Sequence, residues 1–158
     1  VISPQASYLL QSGMQEAMRN GTGRSAYQSL PSQLLTAGKT GTTNDFRDSW
    51  FAGFSGDYLG VFWVGKDNNE PTGLTGSSGA LKLWTQFMAS VPQYPLSTPL
   101  PSDMHVRWFD QTSWNETSAS CENAQPLPVW GENASFEWQD CKQRSSSIKT
   151  WIRSWFQF

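Results

Sequence analysis

Apolar positions along the first ninety residues change period twice, and each change predicts a new element. Ala6, Leu10, Met14, Ala17 and Met18 recur at helical spacing. Before them, Ser3-Pro4 offers an N-cap hydroxyl and a proline at the first helical position, and Gly21 supplies a stop. The pattern predicts a helix near residues 3–20. Residues 21–33 are polar and rich in Gly and Ser, which reads as a loop. Residues 34–43 begin apolar and pass into small residues and threonine, predicting a strand. Two aromatic and β-branched runs, divided by Gly56-Asp57, predict a hairpin with strands near 49–55 and 58–65. Residues 66–76 (KDNNEPTGLTG) form a turn-rich loop. Ser77 or Ser78 is then the expected cap of a helix near 78–90, with Leu81, Leu83, Trp84, Phe87 and Met88 on a broad apolar face.

Helix, three antiparallel strands, helix is the pattern of an α+β layer. Three strands with one helix on each flank make a thin core for a free-standing domain. The composition changes at Val91. Residues 91–102 hold four of the nine prolines and read as a semi-extended linker. Residues 103–158 hold six of the nine tryptophans. The expected organisation is a body at 1–90, a Pro-rich linker at 91–102 and a Trp-rich extension at 103–158. Within the extension, residues 148–158 (IKTWIRSWFQF) carry apolar side chains at helical spacing, predicting an amphipathic helix docked on the body; a membrane-surface or partner helix is the other reading.

Composition removes several classes of function. Only 15% of residues are charged, against about 25% in ordinary soluble domains, and the net charge is −2. No basic stripe exists to neutralise a phosphate backbone, which argues against nucleic acid. Apolar stretches such as residues 61–64 are too short to span a bilayer, so no transmembrane segment is expected. The chain opens without Met or a leader, and we expect a piece of a longer polypeptide, with a mature product as the other reading. His105 is the sole histidine, which argues against a His-dependent triad or a multi-histidine metal cluster, and a surface position is expected for it. Cys121 and Cys141 are too few for a thiolate zinc site; they suggest one disulfide in an oxidising compartment, with two free buried thiols as the other reading. No metal and no cofactor is implied. Chemistry must come from Lys, Ser, Thr, carboxylates or backbone groups. Trp108, Trp114, Trp130 and Trp138 are expected in the core of the extension, although they could form a stacking platform for a glycan. Asn20, Asn115 and Asn133 each begin an Asn-x-Ser/Thr tripeptide, a pattern common by chance.

The informative stretch is Ala37-Gly38-Lys39-Thr40-Gly41-Thr42-Thr43. A phosphate-binding loop also ends in Gly-Lys-Thr, but it needs glycine where Gln33 stands and a helix starting near Lys39. Thr40–Asp45 is a poor helix start, so the nucleotide reading fails. The Lys-Thr-Gly strand of serine acyl-transfer enzymes acting on penicillin and D-Ala-D-Ala peptides fits better. A lysine ammonium there lends positive field to a substrate carboxylate. Hydroxyls of Thr40 and Thr42 can bind that carboxylate. Gly41 lets a substrate backbone lie along the edge as an added strand. The N–H of Thr42 can supply half of an oxyanion hole. At this composition chance places only about 0.03 Lys-Thr-Gly tripeptides in the chain.

The segments VISPQASYLLQSGMQEAMRNGTGR and LLTAGKTGTTNDFRDSWFAGFSGDYLGVFWVGKDNNEPTGLTGSSGA, with the helix after them, resemble the end of the transpeptidase domain of class A penicillin-binding proteins, nearest the 1b type of Gram-negative bacteria. The resemblance spans about residues 1–90 and, more weakly, the Pro-rich and Cys-containing extension. It implies the last three strands of an antiparallel sheet flanked by helices, in an incomplete penicillin-binding/serine β-lactamase-like fold. Lys39 and Thr42 would be catalytic, with Thr40, Gly41, Thr42 and Thr43 binding substrate. The implied activity is D,D-transpeptidation of cell-wall stem peptides through a serine acyl-enzyme, with β-lactams as ligands. The implied place is the periplasmic face of the bacterial inner membrane, with the anchor upstream of this chain.

That family also needs a Ser-x-x-Lys nucleophile helix and a Ser-x-Asn loop, both upstream of Lys-Thr-Gly. Here Ser146-Ser147-Ile148-Lys149 and Ser113-Trp114-Asn115 lie downstream, in the wrong order, and each is about as frequent as chance provides. The nucleophile is therefore expected on an upstream segment, a partner without which the chain is inactive. The alternative is a secreted, non-catalytic module that binds a glycan or protein through its tryptophans.

Overall fold

The computed structural model describes residues 2–131 and 134–141. They fall into two compact units that meet in sequence between Pro101 and Ser102. The first contains helix α1 (Pro4–Arg19), strands β1 (Ala37–Thr42), β2 (Ser49–Phe54) and β3 (Leu59–Val64), and helix α2 (Ala80–Ser90). The second contains β4 (Met104–Asp110) and β5 (Ala124–Trp130). The expected α+β arrangement is present, and residues 1–90 have every predicted helix and strand.

Helix α1 begins as its sequence dictates. The Ser3 hydroxyl accepts from the Ala6 N–H at 3.2 Å, and Pro4 occupies the first turn, where an N–H has no helical partner. Arg19 in the last turn suits the negative end of the helix dipole. After it, residues expected as loop include a short 3₁₀ turn at Arg24–Gln28. Strand β1 starts three residues later than the apolar run suggested. The Leu34 carbonyl is taken by the Tyr27 hydroxyl at 2.9 Å and that of Leu35 by the Leu96 N–H at 2.8 Å, which draws this backbone off the ladder.

The sheet order is β1-β2-β3, antiparallel throughout, leaving β1 at an edge. Alternation puts Ser49, Phe51 and Gly53 on one face, opposite Thr42, Thr40 and Gly38. That face carries the core: Phe51 and Trp84 are both fully buried with ring centroids 4.9 Å apart, packed with Met18, Leu30, Leu34, Leu81 and Met88. The Trp84 indole N–H donates to the Gly53 carbonyl at 3.1 Å, so the ring is buried without stranding its polar atom. The other face presents Trp50, Leu59, Val61 and Trp63, all exposed.

The cap of α2 differs from expectation. Neither Ser77 nor Ser78 caps it: Gly79 occupies the N-cap position, and the buried Ser49 hydroxyl, reaching from β2, accepts from the Ala80 N–H at 2.8 Å. Ser78 is occupied in the preceding turn, where its hydroxyl accepts from the Thr75 N–H at 2.9 Å. The Pro-rich residues after α2 hold no helix or strand and are fastened to the body. The Gly56 N–H donates to the Tyr94 carbonyl, the Tyr94 N–H to the Asp57 carboxylate, and Gln11 bonds Thr98.

In the second unit β4 and β5 pair antiparallel from Met104↔Trp130 to Asp110↔Ala124. Cys121 and Cys141 form a disulfide. Arg107 makes a two-pronged ion pair with Glu116 and lies over the Phe136 ring. Trp114, Trp130 and Trp138 are exposed, contrary to their expected place in the core. A two-stranded ribbon has little interior, and Met104, Phe109 and Val129 fill it. The helix expected at 148–158 lies outside the described residues.

Candidate functional site

The Ala37–Thr43 stretch forms β1 and the turn that leaves it, as a strand reading requires and a phosphate loop forbids. The ladder fixes which backbone groups face outward. The Thr43 N–H donates across to the Asp48 carbonyl at 3.1 Å, and in an antiparallel pair alternate residues point the same way. Residues 39, 41 and 43 therefore turn their amides toward β2, and Thr40 and Thr42 turn theirs to the open edge. In agreement, the exposed Lys39 reaches round that edge, its ammonium donating to the Thr40 carbonyl at 2.9 Å.

Side chains alternate by the same rule. Lys39 and Gly41 share the face of Trp50 and Trp63, and Thr40 and Thr42 share the opposite one. Both threonine hydroxyls are engaged from other segments. The Thr42 hydroxyl oxygen accepts from the Gly76 N–H at 2.9 Å. Gly76 is pressed against β1 and β2: a Cβ there would lie 2.6 Å from the Trp50 carbonyl oxygen and 2.7 Å from that of Gly41. The Thr40 hydroxyl bonds that of Thr22 at 2.8 Å. Beside this pair opens a cavity of about 490 Å³ lined by Gly21, Thr22, Arg24, Ser25 and Ser77.

Thr43 is placed differently. Its hydroxyl donates to the Asp48 carboxylate at 3.1 Å and accepts from the Asp48 N–H at 2.8 Å, closing the β1–β2 turn. The same carboxylate accepts the Trp63 indole N–H at 2.9 Å. Asp45 and Phe46 in this turn have positive φ, 59° and 55°, a costly conformation for a phenylalanine. The loop after β3 returns to brace them, with both the N–H and the hydroxyl of Thr72 donating to the Phe46 carbonyl at 2.8 Å.

Sequence reasoning brought together Lys39, Thr40, Gly41 and Thr42, which one strand carries, but missed Thr22, Asp48 and Gly76. The signal for Thr22 was its place inside Gly21-Thr22-Gly23. Of the residues set aside, Ser113 donates both its N–H and its hydroxyl to the Asp110 carboxylate in an Asx-type turn at the end of β4, and its hydroxyl oxygen accepts from the Asn115 N–H. Ser146 and Lys149 lie outside the described residues. Among the described residues no group of three metal-ligating side chains converges, and no helix is long and apolar enough to cross a membrane.

No protein-family model matches the chain. Penicillin-binding protein 1B of Vibrio cholerae is 36% identical over 157 residues, which covers 99% of this chain and 20% of that protein. Penicillin-binding protein 1B of Escherichia coli is 38% identical over 129 residues, 82% of this chain and 15% of that protein. The chain thus spans a fifth or less of the length of these relatives. A crystal structure of penicillin-binding protein 1A from Haemophilus influenzae superposes with a TM-score of 0.68 at 24% identity, covering 89% of this chain and 22% of that one, which shows a shared fold.

Proposed function

The chain is a homologue of the C-terminal parts of Gram-negative class A penicillin-binding proteins, and on that footing we propose that it supplies one wall of a D,D-transpeptidase site. The observation that carries the reading is the open edge of β1, a single strand that carries the Thr42 N–H, the Lys39 ammonium and two threonine hydroxyls. A peptide ending in D-Ala-D-Ala, or a β-lactam, adds along this edge as a further strand, with Gly41 leaving its path clear. The Thr42 N–H donates to the carbonyl oxygen as it becomes an oxyanion. Lys39 sets a positive field at the substrate carboxylate, and the hydroxyls of Thr40 and Thr42 bind it. Thr43 serves the site by holding the turn through Asp48.

The attacking serine and its partner lysine come from an upstream segment. Serine oxygen adds to the penultimate D-Ala carbonyl, the terminal D-Ala leaves with a proton, and an amine of a second stem peptide then takes the acyl group from the serine. The exposed apolar face of Trp50, Leu59, Val61 and Trp63 supports such a partner, because a patch of this kind normally marks an interface. Residues 1–90 act as the catalytic wall, 91–102 as a strap and 103–158 as an extension. The whole works at the periplasmic face of the inner membrane on peptidoglycan stem peptides.

Labelling by a fluorescent penicillin, with the upstream segment supplied, tests the reading. Lys39→Ala is expected to slow acylation about a hundredfold or more while shifting the thermal midpoint little. Equal loss of stability and labelling would make Lys39 structural and refute the site. The exposure of Trp114, Trp130 and Trp138 favours a second reading, a non-catalytic surface for a glycan or protein. Quenching of tryptophan emission by peptidoglycan fragments, without penicillin labelling in the assembled protein, would support it.

A further inference from the structure

Resting on the acyl-transfer site just described, we propose that Thr22 is a positioning residue that holds the Thr40 hydroxyl as a donor toward the substrate carboxylate. Each threonine hydroxyl has one hydrogen to give and can accept at its oxygen. For Thr42 the geometry settles its use. A backbone N–H only donates, so the bond from Gly76 leaves the Thr42 hydrogen available to an anion. The partner of Thr40 is another hydroxyl, 2.8 Å away, and either oxygen can donate. A carboxylate offers lone pairs only. Thr40 can face it productively when Thr22 donates to Thr40 and Thr40 passes its own hydrogen outward. The two strand hydroxyls then match, each receiving a hydrogen bond from behind and giving one forward.

The local fold is built to put Thr22 there. The N–H groups of Gly21 and Gly23 bond back to the carbonyls of Glu16 and Ala17, at 3.3 and 2.9 Å, wrapping the turn over the end of α1. Neither glycine has room for a side chain. A Cβ at Gly21 would lie 2.9 Å from the Ala17 Cα, and one at Gly23 would lie 2.5 Å from Met18 Sδ and 3.1 Å from Met18 Cα. Met18 is itself fully buried in the core, so the turn has little freedom to shift. Thr22 is the one side chain this tripeptide projects, and it meets Thr40. The cavity that Thr22 shares with Arg24, Ser25 and Ser77 has polar walls and room for water, so the Thr22 oxygen does not need Thr40 as its donor.

The experiment follows the time course of penicillin acylation in the chain joined to its upstream segment, separating apparent affinity from the limiting acylation rate. Thr22→Val is expected to weaken affinity about fivefold, the worth of one ordinary neutral hydrogen bond, and to leave the limiting rate within about twofold, because the carboxylate contact is equal in ground and transition states. Thr22→Ser should restore affinity. Thr22→Val should add nothing in a Thr40→Val background, and a penicillin esterified at its carboxylate should not distinguish it from wild type. Unchanged affinity in Thr22→Val, with Thr40→Val impaired, overturns the inference and leaves the site intact. Failure of Thr22→Ser to rescue, together with a lowered thermal midpoint, overturns it in favour of a structural threonine. No effect of Thr40→Val either overturns the carboxylate role of β1 itself.

Discussion

Ser49→Ala removes a hydroxyl that ties the sheet of the first unit to its last helix. Ser49 is fully buried at the start of β2, accepting from the Ala80 N–H at 2.8 Å and donating to the Thr75 carbonyl at 2.7 Å. The two partners fare differently when it goes. The Thr75 carbonyl keeps the Gly79 N–H at 2.9 Å, whereas the Ala80 N–H, on a residue with 0% exposure, loses its acceptor. Deleting a capping hydroxyl costs about 1 kcal/mol, and stranding a buried donor costs about 1–3 kcal/mol; these describe one loss, which we set at about 2 kcal/mol. For a unit of this size that lowers the thermal midpoint by about 10 °C. Exchange of the Ala80 amide should accelerate about thirtyfold if α2 frays from its first turn. The control is Ser78→Ala, the cap that sequence alone suggests. It loosens the Thr75 turn and should leave Ala80 exchange near its original rate. Faster Ala80 exchange in Ser78→Ala, with none in Ser49→Ala, would refute the cross-strand cap.

Two further outcomes concern the extension and the proposed upstream nucleophile. Replacing Cys121 and Cys141 with serine should destabilise the second unit by about 3 kcal/mol in the chain-entropy model, and a thiol assay on unfolded, unreduced protein should find no free thiol; two titratable thiols would remove the support for an oxidising compartment. The chain alone should gain no mass on incubation with penicillin, because Lys39, the threonine hydroxyls and the Thr42 N–H can polarise an acyl donor but cannot attack it. A stoichiometric gain that Ser146→Ala abolishes would move the nucleophile into the tail.

The elements of residues 1–90 were legible because their signals are local. Ser3-Pro4 caps and starts α1 through contacts three and four residues away, and Gly56-Asp57 reverses the chain between strands that pair from Phe54↔Leu59 onward. β5 was hidden for a physical reason. Its sequence, AQPLPVW, holds two prolines, which lack the donor a strand needs and normally argue against one. Pro126 and Pro128 are two apart, so both turn their missing N–H to the same side of a two-stranded ribbon, and the other side still pairs with β4. The exposure of the tail tryptophans was hidden similarly. Aromatic content measures how much apolar surface a segment has, not whether a second layer exists to cover it.

At the candidate site the legible part was the list of groups, and the hidden part was their hydrogen-bonding state. Lys39, Thr40, Gly41 and Thr42 are neighbours in sequence, so one strand carries all four, with Lys39 and Gly41 on one face and Thr40 and Thr42 on the other. Whether the two threonines can donate outward depends on Thr22, 18 positions before Thr40, and on Gly76, 34 positions after Thr42. Neither partner has chemistry of its own that would single it out. One is an ordinary hydroxyl between two glycines, and the other is a backbone amide. Their value arises only when α1 and the loop before α2 pack against β1 from separate directions, and it is erased by any shift large enough to break a 2.8 or 2.9 Å contact. The core that holds α1, β2 and α2 together, centred on Met18, Phe51 and Trp84, therefore does more than support the edge strand. It holds Thr22 and Gly76 within hydrogen-bond reach of the two strand hydroxyls, the placement that the proposed recognition of an anionic substrate requires.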